Sequence, residues 1–444
     1  MAYHGKWRST DQIPLRAVTS GQLDRFGFVD PTNGGNSQRY SLQFNRQKLD
    51  GNTLTKLSLY AIYYDLDLFS NFTCALDNPV NGDQFEQAEK RYIIGGDISR
   101  TWEKLSAFGR ESSITLGLQT RHDFINGIGL CKTEQRQRLS TVRQDDVVEN
   151  SVGLFGESTI RWTPWLRTTA GVRADAFRYE VTADTAGNSG DRLAAIIGPK
   201  FPAVLGPWKK TELFLNFGTG FHSNDARGVN TTIDPSTGDA VTRVDLLVCT
   251  IGAEAGLRTQ IIPKVTATLA AYWLDSDSGL VYVGDACTNE AGPGSRRYGV
   301  EAAIYWTPKD WLAFDTEVAV THARHRNSPG ADRIPAAVPW MRSGGFVVGA
   351  QGRQPGWFGG MRVRAFGPRV LTEDNSVEGR ATCTVNANIG YRTAHWETSL
   401  ECLNLFNRRD RDTSQLAGEA ASSDDIHFHP AEPRMIRGRV TYKW

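Results

Sequence analysis

The 444-residue chain has no run of about 20 consecutive apolar residues, so no helix of it can be expected to cross a bilayer. It has no excess of charge of either sign. Fifty Lys and Arg face 49 Asp and Glu, which argues against a protein that holds nucleic acid by electrostatics. The segment from Met1 to Trp7 lacks the charged stretch and apolar core of a secretory signal. No GxSxG, HExxH or P-loop motif occurs, and no nucleophile and base share one loop, so no enzyme is expected. The six cysteines form no CxxC or CxxH pair, which removes the usual zinc site, and neither a metal nor a cofactor is expected. What is present is 44 glycines and 10% aromatics, too ordered a composition for a disordered chain. The length would suit two or three soluble domains. Large β-barrels escape that division, because half of each strand faces water and the mean hydropathy stays low, here −0.39.

The strongest local signal is alternation with period two. Ile114, Leu116 and Leu118 alternate with Ser113, Thr115, Gln119 and Arg121. Leu312, Phe314, Val318 and Val320 oppose Asp315 and Glu317, and Met361, Val363 and Ala365 oppose Arg362 and Arg364. At the end, Val440, Tyr442 and Trp444 oppose Arg439, Thr441 and Lys443. Connections alternate between short (49–52, 163–164, 262–263, 307–310, 354–356, 393–395) and long (9–38, 71–90, 126–146, 226–245, 275–296, 325–337, 367–380, 407–433). Nine of twelve tryptophans (102, 162, 165, 208, 306, 311, 357, 396 and 444) lie beside short turns or at the terminus. Sorting of that kind suits an aromatic girdle at one membrane interface better than a soluble core. The expected fold is therefore all-β: a transmembrane antiparallel β-barrel of about eighteen strands, with short periplasmic turns and long extracellular loops. A soluble all-β protein is the disfavoured alternative. The phrases Arg161-Trp-Thr-Pro-Trp-Leu166 and Tyr305-Trp-Thr-Pro-Lys-Asp-Trp-Leu312 read as equivalent turns of one meander.

Several segments carry a resemblance. They are Asn81-Gly-Asp-Gln-Phe-Glu-Gln87, the run from Phe217 to Gly228, Arg296-Arg-Tyr-Gly-Val-Glu301, Leu403-Asn-Leu-Phe-Asn407, and Asp424-Asp-Ile-His-Phe-His-Pro430 with Glu432-Pro-Arg434. Together they resemble the barrel of TonB-dependent outer-membrane receptors over residues 1–444. The terminal aromatics Tyr442 and Trp444 resemble the signal read by the outer-membrane assembly machinery, although Gly438 stands six residues before the end rather than five. The resemblance implies a Gram-negative outer membrane, a barrel of 22 strands with a plugged lumen, and energy-coupled uptake of a scarce nutrient through the TonB complex. Iron-siderophores or other metal chelates are the implied cargo. No signal, TonB box or plug is recognised in this chain, and about four strands are missing, so it reads as the N-terminally truncated barrel portion. The alternatives are a passive unplugged pore and a nonfunctional remnant.

Candidate ligand or loop-network residues are His222, Asn224, Asp225 and Arg227 on the strand leading into one long loop, and Asp424, Asp425, His427, His429 and Arg434 in the last. His427 and His429 are two apart, so an extended strand points both one way, and paired imidazoles with carboxylates suit a transition metal. Loop anchoring is the preferred reading for both groups. Inward Arg167, Arg173, Asp175, Asp315, Glu317, Arg362 and Arg364 are expected to line a wet lumen. His322 and His325, with Arg324 and Arg326, are expected at a solvated outer rim. Cys74 with Cys131 and Cys249 with Cys287 are possible external disulfides. Cys383 and Cys402 lie on strands joined by one short turn and read as two small lipid-facing hydrophobes rather than a bond.

Overall fold

The computed structural model describes residues 1–8, 12–71, 73, 75–283, 288–326, 328, 330–350, 354–417 and 425–443. In chain order the elements are β1 (Ala2–Arg8), β2 (Ile13–Pro14), α1 (Leu15–Thr19), β3 (Gly34–Asp50), β4 (Thr53–Ser70), β5 (Phe85–Ala107), β6 (Arg110–Glu134), β7 (Gln137–Thr163), β8 (Leu166–Ala183), β9 (Gly190–Lys200) and β10 (Ala203–Trp208). There follow β11 (Thr211–Ser223), α2 (Ala226–Asn230), β12 (Leu247–Thr259), β13 (Val265–Ser276), β14 (Gly279–Val283), β15 (Thr288–Gly292), β16 (Ser295–Lys309), β17 (Leu312–His325), β18 (Trp340–Gly349) and β19 (Gly356–Phe366). The chain ends with β20 (Arg369–Val370), β21 (Glu378–Gly379), β22 (Thr382–Arg392), β23 (Trp396–Leu403), β24 (Arg411–Ala417), β25 (Asp425–Pro430) and β26 (Met435–Tyr442).

Nineteen of these strands form one antiparallel sheet. β9 and β10 both lie between β8 and β11, interrupted at Phe201-Pro202, where proline removes a ladder donor. Counted as one stave they leave eighteen, the number that the alternation and loop spacing predict. Neighbours in sequence pair throughout, as in a meander.

The register sorts the two faces. One cross-strand row reads Leu57, Ile98, Leu118, Leu154, Ala174, Ile197 from β4 to β9. Another reads Val265, Trp306, Phe314, Phe346, Met361, Ala387, Cys402, Ile436 from β13 to β26. These side chains stay bare on the protein: Ile197 is 68% and Ile436 73% exposed. A continuous apolar belt of this extent fits lipid and not water. Neighbouring rows on the other face are polar, such as Ser58, Asp97, Gln119, Gly153, Asp175. Aromatic pairs mark the end with the short turns: Phe108 with Trp162 at 5.9 Å, Trp306 with Phe314 at 5.2 Å, Trp357 with Tyr391 at 5.2 Å and Trp396 with Tyr442 at 4.8 Å. Tyr40, Tyr63 and Tyr92 form a tyrosine row toward the opposite, outer end.

Several expectations need correction. Residues 126–146 are not a long loop. β6 and β7 stay paired up to Glu134 and Gln137, around a turn in which Gln135 and Arg136 both have positive φ (49° and 66°). Register shifts at 125/128, 130/131 and 132/133 interrupt the period of two there, so the alternation fades although the ladder continues. With 27 residues β7 is about 90 Å long at ~3.4 Å per residue, so its outer end stands far above an apolar band. The long connections 275–296, 367–380 and 407–433 likewise contain strand pairs of their own: β14–β15, β20–β21 and β24–β25, the last extended by β2. Two tight turns at the other end, Phe108-Gly109 and Lys209-Lys210, also take positive φ, the second without glycine or asparagine. No correction applies to Cys383 and Cys402, expected not to bond: Cys402 faces Ala387, Cys383 faces Ala365, and both thiols are free.

No register of paired residues joins β26 to β3 or β1. β1 covers Gly34–Tyr40 of β3, and the residue-by-residue register gives residues 42–50 β4 as partner.

If the belt faces lipid, Leu118→Arg costs about 2–4 kcal/mol at mid-bilayer, whereas Ser58→Arg, on the polar face opposite Asp97, costs under about 1 kcal/mol. Reversible urea unfolding in phospholipid vesicles reads the difference, and equal costs would contradict the assigned faces.

Candidate binding site at the outer mouth

At the outer end the strands rise past the tyrosine row and the connections fold back over the opening. The run Gly220–Gly228 leaves β11 here. Asp225 caps α2 by accepting the Arg227 backbone N–H at 2.8 Å, the local signature of a helix start. Its carboxylate also accepts from Arg227 Nε (3.1 Å) and Nη2 (2.9 Å). Burial alone would raise the Asp225 carboxyl, but Arg227 outweighs it and holds the group below the ordinary carboxylate range, while Arg227 itself is raised. The neighbouring Asn224 is buried and donates to Asp245 O at 2.6 Å. Beneath this network Ala226, Val229, Val244 and Leu246 pack on Ile125, Val147, Tyr179 and Val181 of the wall.

Between this folded-in loop and strands β4–β7 lies a cavity of about 410 Å³. Glu89, Ile128, Arg143, Asp225, Arg227 and Thr231 are among its lining residues. Arg143 is ion-paired with Asp145 and donates to Thr231 Oγ1 at 3.0 Å. The charged lining thus balances, two guanidiniums against two carboxylates. His222 is not brought to this cavity. It lines a second, of about 330 Å³, with Thr250, Arg297, His325 and Ile334.

Several of the residues expected in the lumen pair with one another or with their neighbours. Arg173 binds Asp175 at 2.7 Å and donates to Gln119 Oε1 at 2.6 Å. Gly153 opposite leaves the space for that pair, since a Cβ there would collide with both groups. Arg362 binds Asp315 at 2.9 Å and Ser343 Oγ at 3.2 Å, and Tyr305 donates to Glu317 at 2.8 Å. Arg167 and Arg364 share the inward face and make no ion pair with a described residue.

The last loop is an anchor. His427 is fully buried on β25 beside Pro14 of β2, and the adjacent Phe428 faces Ile13. His429 stands opposite Thr413, Asp425 accepts the Arg16 backbone N–H at 2.7 Å, and the Arg434 backbone N–H reaches Asn407 Oδ1 at 3.0 Å. With His427 enclosed, the two imidazoles do not open together toward a metal, and no metal-holding group of three or more ligands occurs among the described residues. Asp424, Cys74, Cys287 and Trp444 lie outside the described residues, and with them one partner of each possible external disulfide. Cys131 is buried and Cys249 half-buried, and both thiols are free.

Two residues escaped sequence reasoning as structural keys. The Gln84 side chain is buried and uses its full hydrogen-bonding capacity. Its Nε2 donates to Asp30 (2.9 Å) and Thr32 (2.7 Å), while its Oε1 accepts from Thr133 (3.0 Å) and the Arg136 backbone (2.8 Å). Three connections meet there. Asn404, at φ 48°, spans both ends of the last loop: its Nδ2 donates to Arg408 O at 2.8 Å and Glu432 O at 3.0 Å. Both sit in segments that carry the resemblance, and motif position was the only available signal.

An eighteen-stave wall with an apolar outer belt, an ion-paired lining and loops folded into the mouth defines an outer-membrane transport barrel. Residues 3–405 match the family described as TonB dependent receptor-like, beta-barrel, and the chain belongs to it. This is a family of transporters rather than enzymes. Solved structures with the same fold include the ferric yersiniabactin uptake receptor FyuA from Yersinia pestis (TM-score 0.71, 14% identity, 92% of this chain and 62% of that one). The ferric-catecholate import receptor Fiu from E. coli K12 in its closed form gives TM-score 0.73 at 12% identity, covering 100% of this chain and 71% of that one. The copper transporter OprC gives 0.70 at 15% identity, covering 94% and 67%. The chain thus spans about two thirds of the length of these proteins. No curated protein matches the sequence.

Gln84→Ala removes four hydrogen bonds at once and leaves buried partners unsatisfied, at about 1–3 kcal/mol for each group left without a bond. Limited proteolysis of the outer loops should accelerate, with the wall intact. Asp225 has its folded pKa below the unfolded one, so its stabilisation is full above about pH 4. It is lost as pH falls through the lower folded value. Loop protection from an acid-stable protease should therefore hold at pH 5 and fail only below the usual carboxylate range, and Asp225→Asn should abolish that dependence.

Proposed function

We propose that this chain is barrel wall of a receptor in the outer membrane of a Gram-negative bacterium, serving energy-coupled uptake of a scarce nutrient carried as a metal chelate, most simply an iron-siderophore. The observation that carries the reading is the mouth. Loops folded over the opening enclose a cavity of small-molecule size, above a lumen lined with paired charges suited to an inserted polar domain. The neighbours' own cargoes, ferric yersiniabactin, ferric catecholates and copper, support a metal or its chelate. Coupling to the TonB complex would pass through a plug. In this reading strands from outside these 444 residues pair with β26 and with residues 42–50 of β3, because lipid offers nothing to unpaired backbone groups. The terminal strand, with Tyr442 and Trp444, would be read by the assembly machinery.

Deleting the gene should slow growth in iron-limited medium supplied with the right chelate, and cellular uptake of radioactive iron from that chelate should fall with it. Growth and uptake unchanged across ferric siderophores and copper chelates would defeat the reading. A large steady conductance in planar bilayers would favour the passive pore.

A further inference from the structure

The outward face of the wall changes character along strands β11 to β17, row by row. One cross-strand row reads Leu215, Ala255, Ala271, Val300, Val320 and is apolar throughout. The next toward the outer end reads Phe217, Ala253, Trp273, Tyr298, His322. The one beyond it reads Thr219, Ile251, Asp275, Arg296, Arg324. Apolar, aromatic and charged rows thus follow one another. That order is the profile of a membrane interface, where Trp and Tyr sit at headgroup level and a lipid-facing arginine is tolerated.

The wall is hollowed beneath the charged row. Leu215 and Phe217 on β11 and Trp273 on β13 stand on either side of Ala253, Ala255 and Ala271, and the groove between them measures about 490 Å³. The groove reaches Trp273, and the Arg296 guanidinium lies 6.0 Å from the centroid of that ring. An apolar slot and a cation therefore meet at one side chain. Asp275 holds the cation in place. One of its oxygens accepts from Arg296 Nη2 at 2.8 Å and Nε at 3.1 Å, and the other stands 2.9 Å from Arg326 Nη1. The Asp275 side chain is 9% exposed and that of Arg296 52%, so the carboxylate is covered while the guanidinium faces outward. Arg324, opposite Arg296 in the ladder, donates through Nε to His322 Nε2 at 2.7 Å and is ion-paired with Asp332. The His322 ring in turn packs on Tyr298 at 4.9 Å. Both guanidiniums are thus set in position without a ligand, and each, with five N–H donors, keeps donors for an anion arriving from outside.

We propose that this groove and the guanidiniums of Arg296 and Arg324 at its outer end form a binding site for a phosphorylated membrane lipid, an acyl chain lying along Ala253, Ala255 and Ala271 and the phosphate at the two arginines. A preformed slot gives a hydrocarbon chain dispersion contacts on its flanks that a flat belt does not offer. Guanidiniums match phosphate oxygens with paired N–H donors. A free phosphate leaves the slot empty and a bare hydrocarbon leaves the arginines unused, whereas a phosphorylated lipid engages both. The inference goes beyond the uptake reading: it requires that the wall lie in a membrane, and it needs neither cargo, plug nor energy coupling.

The test is native mass spectrometry of the protein, extracted from membranes in detergent, freed of lipid and titrated with phosphatidic acid. Saturable binding is expected. It should weaken about tenfold or more in Arg296→Gln/Arg324→Gln, which removes the headgroup contacts, and in Ala255→Trp, which fills the slot. Arg296→Lys/Arg324→Lys keeps the charge but loses the fork and should fall between the parent and the glutamine pair. Ala387→Trp, on the outward face of β22 and away from the groove, should bind as the parent does. Diacylglycerol, which has the chains without the phosphate, and glycerol phosphate, which has the phosphate without the chains, should each bind more weakly than phosphatidic acid. Heat-modifiable migration on gels confirms that each variant is folded, and should the glutamine pair fail to fold, Ala255→Trp and the lysine pair carry the comparison. No saturable binding by the folded parent, or equal binding by the parent, the glutamine pair and Ala255→Trp, overturns the site. So does glycerol phosphate binding as tightly as phosphatidic acid, which would mean a free anion, or diacylglycerol doing so, which would mean an apolar occupant alone. Arginine-dependent lipid binding in a protein whose deletion changes no uptake would sink the uptake reading and leave the lipid site standing.

Discussion

The structure depends on the antiparallel backbone ladder. In a bilayer no water completes an unpaired N–H or C=O, so every stave needs a partner on each flank. Between β3 and β26 this wall meets the requirement strand by strand, including the stave broken by Pro202, where β9 and β10 take up the same two neighbours in turn.

Side chains follow from the ladder. Once the register is set, each residue faces either lipid or lumen, with no intermediate choice. The outward rows are apolar over six and eight strands. Facing them, some charges close on one another through short-range pairs such as Arg173 with Asp175 and Arg362 with Asp315.

The outer connections are built rather than loose. Gln84 ties three of them with one amide, Asn404 closes the last, and a small apolar core seats α2 against the wall. Such anchoring lets the loops hold a defined cavity.

The sequence by itself determined the stave count, the faces and the polarity of the barrel, because period-two alternation and turn spacing are local properties written residue by residue. It put Arg173 with Asp175 on one strand face and Arg362 with Asp315 on facing positions for the same reason, and these side chains pair. It could not see that β6 and β7 continue upward, since bulges at 125/128 and beyond erase the alternation while preserving the ladder. Nor could it tell that His427 is enclosed by β2, more than 400 residues away in sequence, or that Arg25 joins Arg411 at the Phe428 ring. Those facts depend on contacts between segments far apart in the chain, which only the folding of the loops over the mouth brings together.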